Sequence, residues 1–318
     1  MPSNQYPHPI LYATRPGALP ARFRRSRVLI VGCGDVGLRV AKALPSRMRV
    51  LALTSSVGRI AELRSAGVTP LQGDLDAPAS LRRLAGLCQR VLHLAPPPGQ
   101  GWGDPRTLAL VRTLRLRGLP EALVYGSTSG VYGDCGGDIA IETRAAHAYT
   151  QRAARRIDAE NTARFLGRAT SLRASILRIP GIYAPDRQGG TPRERLLKGT
   201  PVLRASDDVY TNHIHADDLA RACVAALWRG KPQRVYNVND DSRLKMGDYF
   251  DLAADLFRLP RPPRVARDTA KEKLPLMLLS FMSESRRMDN TRLKRELRLR
   301  LRYPTVDLGL LAPAALLK

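Results

Sequence analysis

The chain has 318 residues, enough for one large α/β domain with an appended lobe, and its 44 % apolar content supplies a sizeable core. Its net charge of +24 invites a nucleic-acid reading, but the 52 basic residues are mostly Arg spread along the whole chain, and aromatic residues make up only 5 %. No helix-turn-helix, zinc finger or aromatic RNA-binding stripe accompanies the charge, so no specific nucleic-acid partner is expected, while anionic small ligands should be attracted. No run of about eighteen apolar residues is present, so no membrane partner is expected. Cys33, Cys88, Cys135 and Cys223 form no Cys-x-x-Cys pair, which argues against a zinc ribbon and suits reduced thiols in a cytoplasmic protein.

Residues 1–26 carry Pro2, Pro7, Pro9, Pro16 and Pro20, lack the apolar stretch of a secretory signal and run into Arg22, Arg24 and Arg25; they read as a disordered leader. Val28 to Val31 then forms an apolar strand entering Gly32-Cys33-Gly34-Asp35-Val36-Gly37, and Leu38 to Leu44 continues as a helix. Strand, G-x-G-x-x-G and helix together predict a dinucleotide site. Gly32 permits a sharp turn, Gly34 a close backbone approach to a diphosphate, and Gly37 tight packing of helix on strand.

The second strand, Arg49 to Leu53, ends in Thr54-Ser55-Ser56, where an NAD-binding chain would present a carboxylate to the ribose 2′-OH. Hydroxyls stand there instead, with Arg59 one turn on. That combination favours NADP, through a charge-assisted bond to a 2′-phosphate, with NAD as the alternative and a solvated Arg59 as the bland reading.

Further strands are predicted at Val68–Leu71, Arg90–Ala95, Ala122–Gly126, Ser175–Ile179, Val209–His215 and Arg234–Asn239. Helices are predicted at Leu81–Leu87, Thr107–Leu116, Thr150–Leu166, Thr191–Lys198, Leu219–Trp228 and Lys245–Phe257, with Asp217 and Asp218 expected to cap the helix that follows them. The alternation implies a Rossmann-type, doubly wound parallel sheet at 27–181 and a smaller C-terminal substrate lobe at 182–318, of which 209–240 returns to the sheet. His213 and His215 alternate on one strand face without a third ligand in view, so no metal is expected. The apolar run Leu274–Phe281 reads as lobe core in preference to an exposed dimer face, a homodimer being left open, and the Arg286–Arg302 cluster as a charged helix face.

With Gly73-Asp74-Leu75, His93-Leu94-Ala95, Gly126-Ser127-Thr128-Ser129-Gly130-Val131-Tyr132-Gly133, Arg178-Ile179-Pro180-Gly181-Ile182-Tyr183 and His213-Ile214-His215-Ala216-Asp217-Asp218-Leu219-Ala220 in order behind the glycine loop, the chain resembles the NAD(P)-dependent epimerase/dehydratase family of extended or atypical short-chain dehydrogenase/reductases. The resemblance implies that Asp74 and Leu75 lie near the adenine, Leu94, Ala95 and Pro96 along the cofactor, and Pro180 and Ile182 against the nicotinamide.

Two departures from that family stand out. Its first glycine position is Val31 here, and its Tyr-x-x-x-Lys dyad is not restored in any register: if Glu160 sets it, the two positions are Arg152 and Arg156, and if Tyr149 is the tyrosine, the fourth residue on is Ala153. Arg152 stays protonated and cannot donate a proton near neutrality, whereas Arg156 can hold a ribose or a substrate anion. Thr128 matches the family's hydroxyl by its place three residues before Val131, and Tyr149 is the remaining proton-donor candidate or an ordinary residue before a helix. Two readings follow: an oxidoreductase or epimerase working by hydride transfer on a small carbonyl, hydroxyl or nucleotide-sugar-like substrate, or a catalytically silent dinucleotide-binding regulator or redox sensor.

Overall fold

The computed structural model describes residues 26–311 except 276, 277, 280 and 281, so the predicted leader lies almost wholly outside the described residues. β1 (Arg27–Val31), β2 (Arg49–Thr54), β3 (Thr69–Gln72), β4 (Arg90–His93), β5 (Ala122–Thr128), a two-residue β6 (Ile139–Ala140) and β7 (Arg173–Ile179) alternate with α1 (Asp35–Ala43), α2 (Ile60–Ser65), α3 (Pro105–Leu114) and α4 (Gln151–Arg168). Beyond them lie β8 (Gly181–Tyr183), α5 (Arg193–Leu197), β9 (Val202–Leu203), β10 (His213–His215), α6 (Ala216–Arg229), β11 (Arg234–Asn237) and α7 (Met246–Phe257).

The central sheet has seven strands in the order β11-β7-β5-β4-β1-β2-β3, and every pairing is parallel. This is the doubly wound Rossmann arrangement: the chain winds outward from β1 to β3, then crosses back to β4, so the strand order reverses between β1 and β4. Alternation along β1 divides the core. Val28 and Ile30 face a cluster built with α1 and α6, while Leu29 and Val31 face one built with α3 and α4. A third cluster, around Tyr183, Val202, Val209, Tyr249 and Phe250, forms the interior of the lobe.

Several boundaries differ from expectation for identifiable reasons. Residues 78–84 form a 3-10 helix, not an α-helix over 81–87. α3 starts two residues early because Asp104 caps it, accepting from the Thr107 backbone N–H, and Pro105 occupies the first turn. Of Val209–His215 only the last three residues are strand; they pair with β8 in a separate two-stranded sheet, and β11 alone of 209–240 joins the central one. α6 is capped by His215, whose Nδ1 accepts from the Asp217 N–H, and not by Asp217 or Asp218. The Asp218 carboxylate instead accepts from the backbone N–H groups of Arg302 and Tyr303, tying the C-terminal segment down.

The Arg286–Arg302 stretch is not one helix face. It holds a short strand at Arg287–Met288, a helix at Thr291–Glu296 and extended chain, and its arginines reach backbone oxygens: Arg286 that of Gly133, Arg287 that of Gly137 and Arg292 that of Val235. Within Leu274–Phe281, Leu274 is buried in the lobe cluster with Leu278 and Leu279 packed against it.

Candidate functional site

β1 and β4 are paired neighbours at the point of strand-order reversal, and the glycine loop follows β1 directly. The Leu94 and Ala95 N–H groups both donate to the Val31 carbonyl, at 2.7 and 3.0 Å, drawing the β4 exit against the loop. Gly32 sits in that contact with φ +85°; a Cβ there would lie 2.3 Å from the Ala95 nitrogen. Around Gly34 the situation is reversed, because a Cβ would meet nothing within 4 Å. Gly34 is also the N-cap of α1 and makes no side-chain cap bond, so the first-turn N–H groups stand at the positive end of the helix without an intrahelical acceptor. An open backbone cradle with unsatisfied donors fits a diphosphate. Gly37 brings α1 onto the strand, its Cα facing Cys33 Sγ and Ile30; burial pushes the Cys33 thiol up to about 11, making it a packing atom and not a nucleophile.

Arg59 comes back to this loop across 26 residues. Its Nη1 donates to the Cys33 carbonyl at 2.8 Å, while Nε and Nη2 bind both oxygens of Glu62 at 3.0 Å. At the tip of β2, Thr54 Oγ1 holds the Ser56 N–H at 3.2 Å and Ser55 is exposed. Beside them the Asp74 N–H donates to Ser80 Oγ at 2.9 Å, Asp74 Oδ1 accepts from the Asp76 N–H, and Leu75 turns into the core. Arg106 joins Asp76 to the carbonyl of exposed Pro96, so the loops after β3 and β4 are clasped together. Pro180 and Ile182, both half-buried, line the exit of β7. The residues expected to hold a cofactor thus follow the carboxyl ends of β1, β2, β3, β4 and β7 of the central sheet, except Ile182, which lies in β8 of the separate two-stranded sheet.

The candidates for chemistry are less tightly grouped. Thr128 ends β5, half-buried, its Oγ1 accepting from the Gly130 N–H at 3.3 Å. Arg156 reaches the same strand, Nη1 donating to Tyr125 Oη at 3.1 Å and to the Gly126 carbonyl at 2.9 Å. Tyr149 is 73 % exposed and precedes Thr150, the N-cap of α4; its ring lies against Gly133, where a Cβ would fall 2.7 Å from Tyr149 Cε2.

Beneath these groups lies a buried polar layer. Ser127 Oγ donates to Glu160 Oε1 at 2.6 Å, and Arg178 grips both Glu160 oxygens at 3.1 and 2.8 Å, so the end of β5 is fixed to α4 and β7 at once. His93 Nε2 is 2.9 Å from Thr107 Oγ1, which donates to Asp104, placing the imidazole proton on Nε2.

Burial, with Arg156 adding to it, drives the His93 imidazole down from 6.5 to about 3. Between those values the unfolded chain binds a proton that the folded chain refuses, so this group subtracts stability as pH falls below 6.5. Denaturant midpoints at pH 7.5 and 5.5 should show the wild type losing about 1.4 kcal/mol more than His93→Gln over this interval. Equal losses in the two proteins contradict a neutral buried imidazole.

A model of the NAD dependent epimerase/dehydratase family matches residues 28–239. The chain belongs to that family. Comparison with curated protein sequences gives no match. Among solved structures this family member is similar to a functionally unknown conserved protein from Silicibacter pomeroyi DSS, at 29 % identity and TM-score 0.75, with 89 % of this chain and 96 % of that one covered. It is also similar to a UDP-glucose 4-epimerase from Thermotoga maritima with UDP-glucose, at 18 % identity and TM-score 0.73, covering 89 % and 96 %. A nucleoside-diphosphate-sugar epimerase from Pseudomonas aeruginosa, at 17 % identity and TM-score 0.73 over 90 % and 95 %, shares the same fold.

In this epimerase/dehydratase family member Glu160 is buried one turn beyond Arg156, on the face of α4 that meets β5. Tyr125 and Arg187 were not singled out by sequence reasoning. Tyr125 looked like ordinary strand filling, yet its hydroxyl receives Arg156; Arg187 sits in a loop rich in Pro and Gly with no periodic signal, yet its Nε is 3.3 Å from Asp35 Oδ2. The His213/His215 pair is aromatic packing: His213 stacks on Tyr249 at 4.1 Å, His215 packs at a tilt against Tyr303 at 3.9 Å, and the described residues contain no metal-ligating cluster. The four cysteines are free and buried, and no helix among the described residues is long and apolar enough to cross a membrane.

Proposed function

We propose that this chain is a nicotinamide-dinucleotide-dependent oxidoreductase or epimerase acting on a small carbonyl, hydroxyl or nucleotide-sugar-like substrate by hydride transfer. The observation that carries the reading is the open side of Gly34 at the uncapped start of α1, in a chain whose family is named for its dependence on NAD. When bound, the nicotinamide gives or takes the hydride. The backbone of Gly32, Cys33, Gly34, Asp35, Val36 and Gly37 holds the diphosphate end; Thr54, Ser55, Arg59, Asp74 and Leu75 hold the adenosine; Leu94, Ala95, Pro96, Pro180 and Ile182 the remainder. Residues 27–181 form the binding unit and the chain from 182 onward the substrate lobe. The sugar nucleotide of the Thermotoga neighbour supports that end of the substrate range.

NADP is favoured over NAD because hydroxyls, and no carboxylate, stand at the tip of β2 in Thr54-Ser55-Ser56, with the Arg59 guanidinium one turn on. Arg59 comes paired with Glu62, whose carboxyl it holds below the usual range, so the 2′-phosphate has to replace Glu62 on Arg59. Fluorescence titration should give a lower Kd for NADPH than for NADH by roughly tenfold, a gap that Arg59→Ala closes. Equal affinity in the wild type rejects the preference.

For the chemistry, Thr128 orients a substrate carbonyl, Arg156 holds ribose hydroxyls or a substrate anion, and Tyr149 donates the proton. A second reading, a dinucleotide-binding regulator or redox sensor without turnover, is favoured by Arg152 and Arg156 standing at the two dyad positions and by the exposure of Tyr149. Incubation with NADPH and a panel of aldehydes, ketones and nucleotide sugars separates the two. Oxidation that Tyr149→Phe lowers by about a hundredfold, within the range of a positioned proton donor, supports the enzyme; saturable binding with no oxidation on any substrate supports the sensor.

A further inference from the structure

Asp35 is the first residue of α1, the helix whose N-terminus the proposed function assigns to a diphosphate. A carboxylate at that position suits the helix dipole but opposes an incoming anion. Its surroundings sharpen the conflict. Arg39, nearly buried, ties Asp35 at 3.1 Å, Asp186 at 2.8 Å and Asp217 at 2.6 Å, so three acids share one fixed cation. The only other cation paired with this group among the described residues is Arg187, whose Nε is 3.3 Å from Asp35 Oδ2 and whose Nη1 donates to the Ile182 carbonyl at 2.9 Å.

Arg187 therefore spans from the start of α1 to the strand expected beside the nicotinamide. It differs from Arg39 in freedom: its side chain is 32 % exposed against 9 %. It rides on a turn in which the Ala184 N–H donates to the Gly190 carbonyl. Moreover, its contact with Asp35 is a single long ion pair, and Asp35 Oδ2 accepts no hydrogen bond. Asp35 keeps Arg39 if Arg187 leaves.

We propose that Arg187 is a dinucleotide-binding residue, its guanidinium turning from Asp35 to the diphosphate in the loaded protein. The proposal rests on the cofactor reading above, and it makes the lobe's first loop part of the cofactor site. A merely neutralising Arg187 predicts something different, and a double-mutant cycle tells the two apart.

Isothermal titration with NADPH should show Arg187→Ala weakening binding roughly tenfold, the size of one charge-assisted hydrogen bond, with Arg187→Lys in between. Asp35→Asn should tighten binding. The deciding measurement is Arg187→Ala in the Asp35→Asn background: the tenfold loss should persist. If it disappears there, Arg187 acts only by screening Asp35 and the proposal is wrong; if Arg187→Ala binds like wild type, it is wrong as well. Thermal melts of each variant, with Arg187→Lys as the charge-retaining control, exclude a folding defect. No binding by the wild type to either coenzyme defeats the cofactor reading itself, an outcome distinct from both.

Discussion

Replacing Gly34 with Asp should abolish dinucleotide binding while leaving the protein as stable as before or more so. The backbone at Gly34 has φ −82° and ψ −154°, extended geometry open to any residue, and the space a side chain would enter is empty to 4 Å. Asp at an N-cap accepts from the first-turn N–H groups and stabilises a helix by a few tenths of a kcal/mol over Gly. Those are the donors a diphosphate needs, and the new carboxylate occupies its place and repels it. An affinity loss of at least about a hundredfold, or ~2.7 kcal/mol, is expected by calorimetry with both reduced coenzymes, alongside an unchanged or raised melting temperature. Unaltered affinity in Gly34→Asp places the ligand elsewhere. A melting temperature that drops sharply shows instead that the loop packs more tightly than its geometry indicates.

The second large effect concerns Glu160. Its carboxylate and the Arg178 guanidinium are 3 % and 5 % exposed, and Arg178 lies 4.6 Å over the Tyr132 ring with Nη1 already lacking a partner. Removing the acid leaves a cation in the interior with nothing to balance it, a loss of about 3–5 kcal/mol. Glu160→Ala should show this in full and Glu160→Gln somewhat less, since the amide oxygen still accepts one bond. Glu160→Leu with Arg178→Met should recover much of the loss, because an apolar pair of similar volume is often no worse than a buried ion pair. Urea midpoints for the four proteins, at constant slope, check the series. If the single variants sit within about 0.5 kcal/mol of wild type, as surface changes do, the pair is not a buried one. The Ser127 hydroxyl also loses its acceptor, so the position of Thr128 should loosen with it.

Local signals carried much of the architecture. The strand, G-x-G-x-x-G and helix order was legible because each part is specified within a few residues, and the parallel sheet because apolar runs alternate with helical periods. Boundaries failed where a distant partner set them. Val209–His215 reads as one strand by composition, but its first part meets only an isolated bridge from Tyr210 to Lys245, leaving three residues to pair with β8. The acids at 217 and 218 read as helix caps by type, yet one neutralises Arg39 and the other holds Arg302 and Tyr303, so the cap falls to His215. The Arg286–Arg302 cluster looked like a solvated face because a sequence does not reveal which backbone carbonyls lack donors; Gly133, Gly137 and Val235 supply them from far along the chain.

By itself, then, the sequence determined the fold class, the glycine loop and its place between strand and helix, and the absence of a Tyr-x-x-x-Lys pair, since all three are matters of residue type and spacing. Only the tertiary structure decided that Arg59 returns to the Cys33 carbonyl with Glu62 attached, that Arg156 is held by Tyr125, and that Arg187 stands against Asp35. Charge pairing is set by distance in space, and the segments involved lie 26, 31 and 152 residues apart, a separation over which no periodicity in the chain carries information.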